Sequence, residues 1–429
     1  MSQSAGQPTI SVVVVSRRRP EALRRALVGI SQLRYPAFEV VVVADAAGLA
    51  AAKDLPFGDQ LKTVEYETPN ISAARNRGIA HAAGEVVAFI DDDGVPETGW
   101  LHHLAAPFAK PEVAAAGGYV RGRNGISFQW QAQSVDGTGD GLPLGLSGEE
   151  PVVLTPSNGR AIKTEGTNMA FRRDVLAQMG GFDPAYQYYL DETDLNIRLA
   201  AAGHKTAIVP RAEVHHGYAE NRQRTADRVP RDLSEIGASK AIFLRKHCPE
   251  EKREDVWKAF CQGQRRRLVH HMVAGNIMPG DVRRLMRGLQ QGYAEGLTRS
   301  FGQLPELTRA SDGFAPLNVP MGPQVVIYGR YWRRKAMLGE ARQAAKEGKL
   351  PSVFIFSRTG LFHSVRFDPA GFWLQRGGLF GRSDRRQSLF RIHGFGARLR
   401  QEFQRVAAQR LLLETLLPKR LRAKQHAQR

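Results

Sequence analysis

The feature that most constrains the fold is a rhythm of short apolar runs and helical stretches in the first hundred residues. Residues 10–15 are dominated by β-branched apolar side chains, the composition of a strand covered on both faces. Pro20 then opens a stretch with Leu23, Leu27 and Ile30 at helical spacing. Residues 40–43 form a second such strand, residues 71–83 a helix that Gly84 stops, and residues 85–90 a third strand. This alternation predicts right-handed crossovers and an α/β fold with a mostly parallel sheet flanked by helices. Sheets of this kind hold their ligands at the carboxyl ends of the strands. The third strand runs, at that end, into Asp91-Asp92-Asp93.

Three adjacent carboxylates repel one another unless a cation or several donors offset them. A divalent ion with oxygen ligands would do so and would bridge to a diphosphate. A hydrated acidic turn is the plainer explanation, and the triplet alone does not separate the two. Asp191-Glu192-Thr193-Asp194 precedes Leu195 and Leu199, one helical turn apart, so these acids open a helix. Capping and the helix dipole account for acids there. One carboxylate is still free to act as a general base while its neighbour caps. His215-His216 ends an extended segment, where adjacent side chains point to opposite faces, so at most one reaches a given site. Asp45 follows the second strand, a position that contacts ribose or base in nucleotide-binding sheets and is otherwise a solvated turn.

Charge divides the chain. Lys plus Arg number 61 and Asp plus Glu 42 in 429 residues, a net +19. Residues 1–219 hold 20 basic and 24 acidic side chains, net −4; residues 220–429 hold 41 and 18, net +23. The excess implies an anionic partner for the second half: nucleic acid, a membrane surface or a phosphate-bearing substrate. Cys248 and Cys261 are too few for a disulfide framework or a zinc module and point to a reducing compartment. Residues 1–9 show no secretory leader, and no apolar run approaches the roughly 20 residues that cross a bilayer.

The basic half reads as helix over 231–300 and as β-rich over 321–395. Residues 352–356, 362–367 and 371–375 are its short strands, with a hairpin turn at 368–371. Residues 134–148, Gly-rich and polar, read as a loop. Arg265-Arg266-Arg267 and Arg333-Arg334-Lys335, the latter beside Tyr331 and Trp332, are either solvated basic faces or contacts for lipid phosphate or nucleic acid. From residue 397 onward Leu399, Phe403, Val406, Leu411 and Leu413 lie among Arg398, Arg400, Arg405, Arg410, Lys419, Arg420 and Arg422. That basic amphipathic pattern suits an anionic membrane surface, or packing on the protein itself with a solvated arginine face.

Taken in order, the motifs of residues 10–220 resemble the catalytic domain of a family 2 glycosyltransferase with the GT-A fold, over about half the chain. Residues 11–16 with Pro20-Glu21-Ala22-Leu23 resemble its first strand and nucleotide loop, and residues 40–45 its second strand. The strongest match is Ala73-Ala74-Arg75-Asn76-Arg77-Gly78-Ile79 leading to Phe89-Ile90-Asp91-Asp92-Asp93, which resembles the family's helix and Asp-x-Asp motif. Residues 165–173 and Gly180-Gly181-Phe182-Asp183 resemble the segment before the base, and Asp191-Glu192-Thr193-Asp194-Leu195 the acidic motif that carries it.

The resemblance implies an inverting transfer from a nucleotide-sugar donor, a UDP-sugar by preference, to a glycan or lipid-linked acceptor in cell-surface polysaccharide synthesis. It implies a divalent metal, Mn2+ or Mg2+, held by Asp93, Asp91 and His216, with His215 as the alternative histidine. It makes Glu192 the base and Asp191 the runner-up. Asp45 would bind uracil or ribose, Arg75 the nucleotide or diphosphate, Asp91 and Asp92 the ribose, sugar or metal, and Asn168 would line the sugar pocket. Ala44, Ala46 and Ala47 depart from the family's acidic second-strand motif, and the base motif reads Asp-Glu where Glu-Asp is commoner. The division expected is a catalytic domain at 1–222, a basic helical region at 223–320, a small β-rich module at 321–396 and an amphipathic tail at 397–429. The enzyme is expected in the cytoplasm, on the inner face of the membrane if peripheral. A nucleic-acid-binding protein would explain the basic half and leave the ordered acids unexplained. A nucleotidyltransferase would need a Gly-rich phosphate loop after the first strand, and residues 16–20 hold no glycine.

Overall fold

The computed structural model describes residues 7–422 other than 218, 309 and 311. The start of the segment read for a leader (residues 1–6) and the end of the expected tail (residues 423–429) lie outside the described residues. The strand Ile10–Ser16 pairs in parallel with Phe38–Ala44 on one side and Val86–Asp91 on the other, and Phe38–Ala44 pairs in parallel with Lys62–Glu65. Past Val86–Asp91 the sheet continues through Met169–Arg172, Val113–Arg121, Lys205–His216 and Val152–Leu154. Met169–Arg172 is antiparallel to both neighbours, an insertion the opening rhythm does not reveal.

Both faces of the central strands are covered, which is why Ile10–Ser16, Phe38–Ala44 and Val86–Asp91 are mostly apolar. Val12 and Val14 meet Leu23, Leu27 and Ile30 of the helix Pro20–Ile30. Val13, Val41 and Val43 meet Ala74 and Ile79 of the helix Ile71–His81 on the other face. That helix sits close because of Gly78, where a Cβ would lie 2.4 Å from a Val13 methyl. Residues 134–148, expected as a loop, instead join a three-stranded antiparallel sheet of Ala161–Lys163, Gln133–Val135 and Gly141–Pro143. Asp136 organises its turn by accepting from the Thr138 backbone N–H and hydroxyl and by pairing with Arg160.

The basic half begins with three helices, Ser234–His247, Glu250–Val273 and Pro279–Thr298. The first and third pack backbone to backbone: a Cβ on Gly292 would lie 1.8 Å from the Ser234 carbonyl oxygen. A small sheet follows, with Gln324–Arg330, Leu350–Ser357 and Phe372–Gly378 parallel and Ser364–Asp368 antiparallel at one edge. The expected turn is there, Gly371 N–H donating to the Asp368 carbonyl at 2.8 Å with φ of +89° at Gly371. The helix Arg334–Lys346, not expected in a β-rich stretch, crosses between the first two strands; only Met337 and Ala341 of it are buried, too few to mark a period.

The helix Phe395–Arg410 lies on this sheet, with Leu399, Phe403 and Val406 against Phe354, Phe356 and Leu379. Its apolar face is therefore covered by the protein itself. Arg398 and Arg410, counted as solvated in the sequence pattern, are each 1% exposed. No helix among the described residues is long and apolar enough to cross a membrane.

Candidate functional site

The acid triplet splits three ways because a strand end alternates its side chains and then turns. Asp91 is partly exposed and faces a cavity. Asp92 is fully buried, accepting from the Ser16 hydroxyl at 2.7 Å and pairing with Arg19 at 2.8 Å. Burial pushes it up to about 7, against the pull of Arg19 and with Asp93 adding to the rise. Asp92 therefore does not face ribose or sugar; it anchors the first loop. Asp93 Oδ1 lies 3.1 Å from His216 Nε2, and its Oδ2 accepts from the Ala219 N–H at 2.6 Å. Burial works to raise the Asp93 pKa, but His216 and Arg19 outweigh it and hold this carboxyl well below the usual range.

His216 ends the strand Lys205–His216, and its Nδ1 lies 2.8 Å from Gln129 Oε1. With Nδ1–H donating to Gln129, Nε2 is the nitrogen turned to Asp93; it donates to Asp93 when the ring is protonated and would offer a lone pair to a cation that replaced that proton. Ligand atoms of Asp91, Asp93 and His216 all lie within 4.8 Å of one another. Asp91 and His216 line the cavity and Asp93 lies buried behind them; two carboxylates and an imidazole are a donor set that fits a divalent cation such as Mn2+ or Mg2+.

His215 points to the opposite face, as strand geometry requires. Its Nε2 is 2.9 Å from Glu97 Oε1, and it gathers with Glu97 and Glu213 in a second buried cluster. Here the protein supplies the counter-charge. Arg410 donates to Glu97 through Nε at 2.7 Å and Nη2 at 3.1 Å, and Arg121 makes two 2.8 Å bonds to Glu213. Arg410 comes from the C-terminal helix, so this cluster clasps the small module to the main sheet.

The second acid motif opens the helix Asp191–Ala201, entered through Leu190 at a left-handed φ of +68°. Asp191 is buried and paired with Arg75. Arg75 also donates to the Gly166 carbonyl at 3.2 Å and lies 3.5 Å from Asp91 Oδ1, its guanidinium over the Phe182 ring. One buried guanidinium thus ties both acid motifs together. Glu192 lies 3.3 Å from Lys163 Nζ, and that ammonium also stands over the Trp130 ring. Burial and the adjacent Glu192 charge push Asp191 up to about 7, against Arg75. For Glu192 burial also acts upward, but Lys163 and Arg75 outweigh it and hold it below the ordinary value. Of the adjacent pair, Glu192 is the carboxylate whose surroundings favour the ionised form more.

These groups surround a cavity of about 540 Å³. Arg75, Asp91, Asp191, Glu192 and His216 line it together with Lys163, Glu165, Tyr188 and Tyr189, while Arg224, Arg267 and His271 close it from the basic half. Asn168 does not line it: its amide accepts from Trp100 Nε1 and donates to the Tyr119 and Ala212 carbonyls, so the side chain is sealed in the sheet. Asp45 stands at the carboxyl end of its strand, where its oxygens accept from the Gly48 and Arg18 N–H groups at 2.9 and 2.6 Å and cap the helix Ala46–Lys53. Lys163 and Glu165 were missed. Two positions apart in an extended segment, they share a face, which was the available signal. Arg267 belongs to the basic run 265–267, read as a solvated face or a contact for lipid phosphate or nucleic acid and not as part of this cavity, and His271 carried no motif.

The family model described as "Glycosyltransferase like family 2" matches residues 8–233. The O-antigen biosynthesis protein RfbC of Myxococcus xanthus is 28% identical over 237 residues, covering 52% of this chain and 18% of the relative. The pre-mycofactocin glycosyltransferase of Mycobacterium tuberculosis is 27% identical over 243 residues, covering 55% of this chain and 48% of the relative. This chain thus spans less than half the length of either. A mannosyltransferase from Pyrobaculum calidifontis, solved with GDP-Man and Mn2+, aligns over 68% of this chain and 88% of its own at 17% identity and a TM-score of 0.42.

Proposed function

Because the chain belongs to the glycosyltransferase-like family 2, we propose that it moves a sugar from a nucleotide-diphosphate sugar to a hydroxyl of a glycan or lipid-linked acceptor, with inversion. The observation that carries this reading is Arg75. It joins Asp91 of one acid motif to Asp191 of the other, so Asp91 and His216 of the cation-type donor set line a single cavity with Glu192. Asp91, Asp93 and His216 would hold a divalent ion, which would offset charge on the departing diphosphate. Glu192 takes the proton of the attacking hydroxyl, and Lys163 keeps it ionised and aimed. One in-line displacement inverts the anomeric centre. Arg75, closed onto Asp191 and the Gly166 carbonyl, fixes the base-bearing helix rather than the nucleotide. The name of the Myxococcus relative supports a place in cell-surface polysaccharide synthesis, and a UDP-sugar is the first donor to test.

Glu192→Gln keeps shape and removes the base. Transfer should fall on the order of 10³-fold while nucleotide affinity stays within a factor of about 3. Sugar transfer at the wild-type rate by this variant would remove Glu192 from the role.

A further inference from the structure

The +23 of residues 220–429 is not accounted for by the cavity. The C-terminal helix, which had offered a membrane face, has its apolar side closed against the small sheet. A different apolar surface is open. The strands Gln324–Arg330, Leu350–Ser357 and Phe372–Gly378 are parallel, so the segments that leave their carboxyl ends emerge on one edge of the sheet. Those segments expose Trp332 (78%), Leu361 (66%), Phe362, Leu389 (66%), Phe390 and Ile392 (84%). Large side chains exposed to this degree on one edge are a patch rather than scattered surface residues.

The second and third segments hold together. Phe380 N–H donates to the Thr359 carbonyl and Arg391 N–H to the Phe380 carbonyl, and the Phe380 and Phe390 rings lie 5.3 Å apart. Residues 331–335, 357–363 and 380–392 carry eight Arg or Lys and one acid, Asp384, which turns inward to within 3.8 Å of Arg121. Arg333, Arg358, Arg386 and Arg391 remain exposed beside the apolar tips. The third segment is also fastened beside the active-site cavity. Arg385 donates to the Ser127 hydroxyl at 2.8 Å and borders a hollow of about 450 Å³ whose lining includes Gln129 and Arg228, both of which line the catalytic cavity.

We propose that this edge of the small sheet docks on an anionic phospholipid surface, with Trp332, Leu361, Phe362, Leu389, Phe390 and Ile392 entering the interface and the arginines among them meeting lipid phosphate. Apolar tips ringed by cations match what interfacial binding requires: buried apolar area added to attraction by anionic headgroups. A protein partner would have to supply an acidic rim around an apolar socket, whereas a bilayer of anionic lipid presents both without a fixed shape. Docked this way, the catalytic cavity lies next to the membrane surface.

The test uses the full chain and extruded vesicles of phosphatidylcholine with or without phosphatidylglycerol, scored by co-sedimentation. Binding should need phosphatidylglycerol and should weaken with added salt. Phe390→Ser with Ile392→Ser should reduce it at least about tenfold, and Arg358→Gln with Arg391→Gln by a similar factor. These side chains are exposed, so thermal unfolding should stay at the wild-type midpoint. Absence of binding to either vesicle overturns the proposal, as does equal binding by the apolar variant. A dimer lost in that variant, without vesicle binding, would assign the patch to a second copy instead. Sugar-transfer activity enters none of these readouts, so the docking surface and the reaction fail separately.

Discussion

His215 and His216 are neighbours on one strand, and each faces a cluster with two carboxylates. The two clusters differ in where their positive charge comes from. Around His215, Glu97 and Glu213 each receive a two-point guanidinium, from Arg410 and Arg121, and nothing remains to be neutralised. Around His216, Arg19 is turned mainly to Asp92 and stands 3.6 Å from Asp93. Asp91 is held only at a distance by Arg75 and opens onto the cavity. The same residue types therefore make a structural clasp on one face of the sheet and, on the other, a cluster with looser guanidinium contacts that opens onto the cavity. Residue identity does not decide which; the arginines brought in from elsewhere do.

The clasp should break hardest. Arg410→Met leaves Glu97 buried with its guanidinium gone and only His215 against it, and should cost about 3–5 kcal/mol, read as a lower urea midpoint. Adding Glu97→Leu should recover much of that loss, because an apolar pair needs no counter-charge. If Arg410→Met is neutral alone, the cluster is not a clasp.

Acid should loosen the same contacts. Glu97 and Glu402 are both held at about 2: burial pushes each up, but Arg410 and His215 overcome it at Glu97, and Arg405, His363 and Arg398 at Glu402. A carboxylate whose folded pKa lies below its unfolded value stabilises fully above the unfolded pKa. That stabilisation disappears as pH falls through the folded one. Each should contribute on the order of 3 kcal/mol above about pH 4.5, lost progressively toward pH 2. Glu97→Gln should flatten that acid limb; an unchanged pH profile would contradict the pairing.

Much of the first half was legible in sequence because the same residues carry fold and signal. The run that became Ile10–Ser16 had to be a doubly covered strand, Pro20 had to open a helix, and the acids had to fall at a strand end. The opposite aims of His215 and His216 followed from strand geometry alone. What stayed hidden depends on contacts between distant residues. Arg398 and Arg410 look solvated until Glu402 and Glu97 are seen beside them. Asn168 sits in a motif that suggests a sugar pocket, yet Trp100, Tyr119 and Ala212 take its whole amide. Lys163 holds the candidate base from the strand Ala161–Lys163, whose sheet partners fall largely in the stretch 134–148 that reads in sequence as a polar loop.

We propose that, of the two histidine clusters, the one around His216 takes a cation and the one around His215 does not. Mn2+ binding, followed by electron paramagnetic resonance with UDP or GDP present, tests it on wild type, His216→Ala and His215→Ala. The account predicts that His216→Ala weakens Mn2+ binding by on the order of 100-fold and that His215→Ala stays within a factor of about 3 of wild type. Equal loss in the two variants, or nucleotide binding by wild type that ignores Mn2+, would contradict it.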